Sequence, residues 1–277
     1  MTNNTFLNRA FVVFALVLLV VNGVYPMVWV FLSSFKNDIE LQTSPVQYLP
    51  QTWALTNYEQ VFSQQPFLRY FFNSVFVAGI STVICVTIAA LAGYAIARVN
   101  LPQRRLIQTL IVAASIFPVV SLIVPLYQMM RSFGWLGNYM SLVVPYAAFS
   151  LPISILTLTA FFQGIPKDLE DAAMVDGCSR FGALWRIIVP LAAPGVATAS
   201  ILAFVNSWNE FLLAVTFATN QATRTVPPAV ALYQTEFTFP WGIISAAITI
   251  AIVPIIAIIL VFQQRIISGL TAGSVKG

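Results

Sequence analysis

Six long apolar runs separated by short polar connections set the pattern of this chain. The first holds no charge from Ala10 to Phe35. It is longer than the core of a signal peptide and lacks a small-x-small cleavage site, so it is predicted to persist as a spanning helix over about 10–35. Further runs cover about 70–97, 106–130, 141–162, 194–217 and 241–263, and each can cross a hydrocarbon core of about 30 Å at about 1.5 Å per residue. Residues 36–68 are polar, interrupted by Pro45, Pro50 and Pro66, and carry Trp53 and Tyr58, which suit an interface. They read as an extramembrane loop with room for a short helix. The pattern predicts an all-α integral membrane protein with six transmembrane helices in a single transmembrane domain, 1–277.

Among the prolines inside the runs are Pro118 and Pro125 in the third, Pro145 and Pro152 in the fourth, and Pro254 in the sixth. Kinks are expected there. Carbonyls released by proline are tolerated in lipid only where neighbouring helices or a water-filled cavity satisfy them, so spans three and four are expected to face the protein interior. Simple packing kinks account for these prolines as well as a gating role does.

Charge crowds into one connection, 164–193, and within it into Lys167 to Arg180. Pro166 suits a first helical turn, where its missing N–H costs nothing, and Asp168, Glu170 and Asp171 complement the positive end of the helix dipole. Leu169, Ala172 and Ala173 repeat at i, i+3 and i+4, which predicts one narrow face of small residues. Gly177 can supply the positive φ that ends the helix. Phe181, Leu184, Trp185 and Ile188 then repeat at helical spacing beside Arg180 and Arg186, until Pro190 and Pro194 interrupt them. The segment is predicted to be a helix, a glycine elbow and a second helix. Two readings stand: it docks into a groove on another protein, with its carboxylates pairing cations, or it lies on the bilayer surface as an amphipathic connection.

A second polar feature sits inside the fifth run. Asn206, Asn209 and Glu210 fall at i, i+3 and i+4 beside Ser207 and Trp208, predicting a polar stripe. An ionisable group in a span faces the bundle interior or an aqueous path, because facing lipid is costly. These residues could offer hydrogen bonds and an aromatic platform to a hydroxyl-rich solute, or glue this span to a partner helix. On the first reading, Glu210→Ala depresses uptake and leaves assembly intact.

Composition narrows the classes. With 59% hydrophobic and 8% charged residues, the chain is far too apolar for an ordinary soluble domain. The net charge of +4 includes no basic run of the kind that tracks a phosphate backbone, so nucleic-acid binding has no footing. Positive charge reports topology instead. With six spans, Arg9, Arg98, Arg104, Arg105, Lys167, Arg180, Arg186, Arg265 and Lys276 fall on one side, and Lys36, Arg69, Arg131 and Arg224 on the other. By the positive-inside rule, both termini and the charged connection are cytoplasmic. The chain has no histidine, which removes the usual general base and zinc ligand, and Cys85 and Cys178 form neither a disulfide framework nor a metal knuckle. Neither a catalytic nor a metal site is expected, and no phosphate-cradling Gly-x-x-x-x-Gly-Lys loop is present.

The charged connection resembles the EAA loop of ATP-binding-cassette importer permeases: Glu-Ala-Ala, three residues, Gly, nine residues, then Ile-x-Leu-Pro. Here it reads Asp171-Ala172-Ala173, Gly177, then Ile187-Ile188-Val189-Pro190, with every interval kept. Asp171 replaces Glu, Cys178 stands where Ala is commoner, and Val189 replaces Leu. Asp171 is one methylene shorter, which leaves Glu170 and Asp176 as alternative partners for a cation. Further strings are similar to the smaller six-span subunit of maltose-type and trehalose-type importers. They are Asn73-Ser74, Tyr94-Ala95-Ile96-Ala97-Arg98, Gly134-Trp135-Leu136-Gly137-Asn138, Trp208-Asn209-Glu210-Phe211 and the ending Gly269 to Gly277.

The resemblance implies a type I ABC importer permease fold in a bacterial or archaeal plasma membrane, and a carbohydrate such as an oligosaccharide, trehalose-like disaccharide or glycoside as solute. It also implies a homologous second permease subunit, two ATP-binding-cassette subunits that hold ATP and Mg, and an extracytoplasmic solute-binding protein. This chain would bind no cofactor. Leu169, Glu170, Asp171, Ala172, Ala173, Asp176, Gly177 and Arg180 become the coupling residues, levered when the cassettes close on ATP, and Gly177→Pro is expected to uncouple them. Asn206, Trp208, Asn209 and Glu210 become the candidate solute path. The alternatives are an ABC permease for another polar solute such as glycerol phosphate, an ion-coupled secondary transporter, which would need paired ionisable groups that the spans lack apart from Glu210, and a membrane scaffold without a transport role.

Overall fold

The computed structural model describes residues 3–235 and 238–272, and among them every regular element is helical. In chain order these are α1 Asn3–Ser33, α2 Asp38–Gln42, α3 Thr56–Gln64, α4 Phe67–Arg98, α5 Arg104–Ile116, α6 Val119–Ser132, α7 Met140–Gly164 and α8 Asp168–Val175. After α9 Arg180–Ala183 comes a π-helical turn, Leu184–Ile188, followed by α10 Val189–Leu191, α11 Ala193–Trp208, α12 Leu212–Phe217, α13 Val226–Ala231 and α14 Trp241–Ala272. Four helices are each long and apolar enough to cross a bilayer, and two bent pairs raise the number to six if each pair is one span. Residues 273–277, which hold Lys276 and most of the C-terminal string that carried part of the resemblance, lie outside the described residues.

Two compact units make up the chain: residues up to Leu68 with Ala229–Val253, and Arg69–Pro228 with the residues from Pro254 onward. In the first, α1 exposes apolar side chains around its whole circumference, Phe11, Leu19 and Val20 among them, as a helix solvated by lipid does. The loop after it is well packed. Phe35 meets both Trp53 and Tyr58, and Asn57 Nδ2 donates to the carbonyls of Ser34 (2.9 Å) and Lys36 (2.8 Å). Lys36 is buried, its Nζ donating to Gln47 O (2.5 Å) and lying 4.5 Å from the centroid of the Trp29 ring. Burial pushes the Lys36 ammonium below its usual range, and Glu40 partly offsets this.

In the second unit, α4, α7 and α11 approach closely because small residues line their contacts: Ala78, Ser81, Cys85, Ala89 and Ala90 on α4, Ala199 and Ala203 on α11. A Cβ at Gly93 would lie 3.1 Å from the Thr159 backbone nitrogen on α7, and one at Gly195 would collide with the Phe161 ring. Interhelical hydrogen bonds add direction, with Ser81 Oγ donating to Val143 O (3.2 Å) and the Cys85 thiol to Ser154 Oγ (3.3 Å). At the other end of α4, Asn73 Nδ2 donates to Ala222 O (2.9 Å) and Arg224 O (2.8 Å), while Ser74 Oγ accepts from Val226 N (2.8 Å). Gly134 and Gly137 both carry positive φ, +68° and +74°, and Gly137 N donates to Phe217 O (2.9 Å). The short strings at 73–74 and 134–138 are therefore fastenings for loops.

Two of the expected spans are broken into separate helices. The third, expected over 106–130, is α5 and α6 meeting at 89°. Phe117 is extended (ψ 128°) because the ring of Pro118 disfavours helical geometry in the residue before it, and Pro118 then caps α6. Pro125, Pro145, Pro152 and Pro254 stay within continuous helices. The fifth, expected over 194–217, is α11 and α12 with Asn209 to Phe211 between them, and a further bend of 84° separates residues 180–191 from α11.

Candidate functional site

Helix α8 is held at both ends by devices written in its sequence. Three carboxylates occupy its first turn, which the dipole favours. At its C-terminus Cys178 N donates to Ala173 O (2.9 Å) and Gly177 N to Met174 O (3.1 Å) around Gly177 at φ +87°, the paired closure that a left-handed residue makes possible. Ser179 starts the next helix, its Oγ accepting from Gly182 N (3.1 Å). The helix, elbow and helix expected for this segment are all present, with one addition. Pro190 cannot donate to Arg186 O, and just before it the chain widens into a π turn closed by Val189 N to Leu184 O. Leu184, Ile188 and Ala192 are buried with Tyr94, Leu158 and Phe162, so this second helix belongs to the core that joins α4 to α7.

The faces of α8 differ from the expected ones. Ala173 is buried while Leu169 and Ala172 are exposed, so the small-residue face splits between core and surface. The exposed side carries Asp168, Leu169, Asp171, Ala172, Val175 and Asp176, with Gly177, Arg180 and Phe181 beyond. Val175 is 87% exposed and Phe181 63%, and neither was singled out as a coupling residue. Their signal was an apolar side chain amid charge.

Glu170 is turned inward, so its carboxylate is not offered to an outside cation. The Tyr94 hydroxyl donates to Oε1, and Arg98 Nε lies 3.1 Å from Oε2 in the only ion pair among the described residues. That Nε–H is not aimed at the oxygen, so the contact is an ion pair without a directed hydrogen bond. Arg98 Nη2 also donates to Ile165 O (2.8 Å), where α7 ends. In the sequence Tyr94 and Arg98 bound only a string that carries the resemblance, with Arg98 also a cation of the cytoplasmic side, and neither was tied to the charged connection. Their spacing, i and i+4 at the end of a span, was the available signal. Beside them a cleft of about 190 Å³ is also lined by Lys167, Asp171 and Arg180.

The expected polar stripe is not a stripe. Helix α11 stops at Trp208, so Asn206, Asn209 and Glu210 do not share a helical face. Trp208 is buried, stacked on Phe204 and edge-on to Phe71, and cannot be an open platform for a solute. Glu210 turns its carboxylate onto the start of α12: Oε1 accepts from Leu213 N (2.9 Å), and Oε2 from Ala214 N (3.1 Å) and the Tyr146 hydroxyl (2.8 Å). Its charge serves the free amides of a helix N-terminus. Asn206 and Asn209 remain exposed, and Asn206, whose Nδ2 donates to Ser150 Oγ (3.1 Å), lines a cleft of about 600 Å³ with Phe117, Val119, Phe149 and Pro152 at the α5–α6 elbow.

Residues 86–271 match the family described as binding-protein-dependent transport system inner membrane component. The sulfoquinovosyl glycerol transport system permease protein SmoH of Agrobacterium fabrum is 51% identical over 94% of this chain and 91% of its own length. The trehalose/maltose transport system permease protein MalG of Thermococcus litoralis is 37% identical over 98% of both chains. The trehalose transport system permease protein SugB of Mycobacterium tuberculosis is 39% identical over 91% of this chain and 92% of its own. Among solved structures, a chain from a bacterial ABC transporter involved in the import of the acidic polysaccharide alginate superposes with a TM-score of 0.83 at 19% identity, covering 95% of this chain and 98% of that one.

Proposed function

Because this chain belongs to the family of binding-protein-dependent transport system inner membrane components, we propose that it is the permease subunit of an ABC importer for a glycoside or disaccharide. The observation that carries the reading is helix α8: acidic, exposed on one side with Val175 and Leu169, and fixed to the spans on the other. An exposed apolar pair ringed by carboxylates suits a groove with a hydrophobic floor and a basic rim. The occupant of that role is a cytoplasmic ATPase subunit. Leu169, Asp171, Ala172, Val175 and Asp176 enter its groove, Ala173 and Glu170 hold the helix to the spans, and Gly177 with Arg180 forms the elbow. ATP and Mg bind at the partner subunits, which perform the hydrolysis, and this chain contributes no catalytic group. A second permease subunit completes the path, a solute-binding protein delivers the solute from outside, and both termini lie in the cytoplasm.

For the solute, support comes from relatives named for sulfoquinovosyl glycerol, trehalose and maltose at 37–51% identity. Asn206 and Asn209, exposed and rich in hydrogen-bonding groups, are the side chains proposed to meet it, with Glu210 and Trp208 shaping the bend behind them. The test is uptake of labelled sulfoquinovosyl glycerol, trehalose and maltose by cells with and without this chain. Loss of ATP-dependent uptake of one of them on deletion is expected. Uptake that persists under ATP depletion with the ion gradient held would instead mark a secondary transporter.

A further inference from the structure

Helix α8 meets α4 through a polar cluster centred on Glu170 that is almost free of solvent. Side-chain exposure is 6% for Arg98 and 8% for Glu170. Removing two charges from water is costly, and such a pair adds little stability over an apolar pair of the same shape. What it adds is geometry. Tyr94 and Arg98 lie four residues apart on one face of α4 and hold the two oxygens of a single carboxylate, so α8 can neither rotate nor slide on α4 without stranding a charge. The same guanidinium holds the Ile165 carbonyl at the end of α7, at the near edge of the connection leading into α8. One side chain thus ties two spans to the helix that both must follow.

We propose that the Tyr94–Arg98–Glu170 clasp is the joint through which displacement of α8 reaches α4 and α7, making these three positioning residues of the transport cycle. The proposal rests on the reading of α8 as the ATPase-docking helix. Exposed residues of α8 bind the partner, and the buried ones convert binding into movement. The two roles are separable, because Tyr94 and Glu170 are buried whereas Leu169 and Val175 stand exposed. A broken clasp leaves docking intact and lets α8 move without its spans. ATP is then spent with little solute carried.

The measurement uses the complete importer, with its second permease, ATPase subunits and binding protein, in proteoliposomes, and reads three quantities: ATPase subunits co-purified, stimulated hydrolysis, and solute taken up per ATP. For Arg98→Gln and Glu170→Gln, co-purification and hydrolysis are expected to stay within about twofold, and uptake per ATP to fall about tenfold. The double variant is expected to be no worse than either single one, since coupled residues give non-additive losses. Tyr94→Phe, which keeps the ion pair, is expected to lose about threefold. Unchanged uptake per ATP in the single variants overturns the proposal. Losses that multiply in the double variant overturn it, and so does loss of the ATPase subunits from either Gln variant, which would make the clasp a mere fold support. Absence of co-purifying ATPase from the unaltered chain would sink the docking reading itself, a separate result.

Discussion

At Glu210 the carboxylate accepts from two backbone amides and a tyrosine hydroxyl, so removing it leaves buried donors without partners. Each such donor costs about 1–3 kcal/mol. Glu210→Ala is therefore expected to lower the thermal midpoint of the purified chain and its yield, with Glu210→Gln, which can still accept, closer to the parent. This differs from the expectation that reads Glu210 as a solute contact, under which assembly is unaffected. At Gly177 a φ of +87° makes any Cβ unfavourable, by about 1–2 kcal/mol, although nothing lies within 4 Å of where it would sit. Gly177→Ala should reduce uptake several-fold and Gly177→Pro abolish it, measured in membrane vesicles. Space is not the limit there.

Among the elements, α8 presents Val175 as its most exposed apolar side chain. If the helix sits in a groove, truncating a central apolar contact costs on the order of 1–2 kcal/mol, roughly tenfold in affinity. Val175→Ala should weaken retention of the ATPase subunits by about that factor on an affinity column, whereas Val75→Ala, an exposed change on α4, should not. The loop after α1 permits a pH prediction. Burial lowers the Lys36 pKa below 10.5, so the folded chain gives up this proton before the unfolded chain does. The unfolded state then binds more protons between the lowered value and 10.5, and stability from this group rises with pH across that window. Thermal midpoints of the parent and Lys36→Met should therefore shift in the parent's favour from neutral pH towards pH 10.5.

For the molecule as a whole, the distribution of cations makes a topology prediction. Nine Lys and Arg residues fall on the side assigned to the cytoplasm and four on the other, counted over the sequence. With Cys178→Ser as background, a cysteine placed at exposed Trp53 should react with an impermeant maleimide in intact cells. One placed at Val175, in cells that make this chain without ATPase subunits to cover α8, should react only after permeabilisation. Reversal of the two would put α8 on the wrong face for contact with a cytoplasmic ATPase.

Apolar periodicity, charge placement and turn chemistry are local, and they were readable directly: an all-helical chain, an acidic helix closed by Gly177, and a proline-rich third run. The direction in which each polar side chain faces was not. Glu170 and Asp171 are adjacent carboxylates of one helix, yet one is buried against Arg98 and the other exposed, because α4 lies on one side of α8 only. Likewise nothing local distinguishes Pro118, which breaks its span by 89°, from Pro125, Pro145 or Pro152, which lie within continuous helices. Glu210 also accepts from the Tyr146 hydroxyl, 64 residues away, a contact that no local pattern announces. The sequence determines which segments can be helices and where charge is tolerated. Which carboxylate meets which cation is decided only by tertiary packing, because burying a charge is costly until a particular partner from another helix is in place.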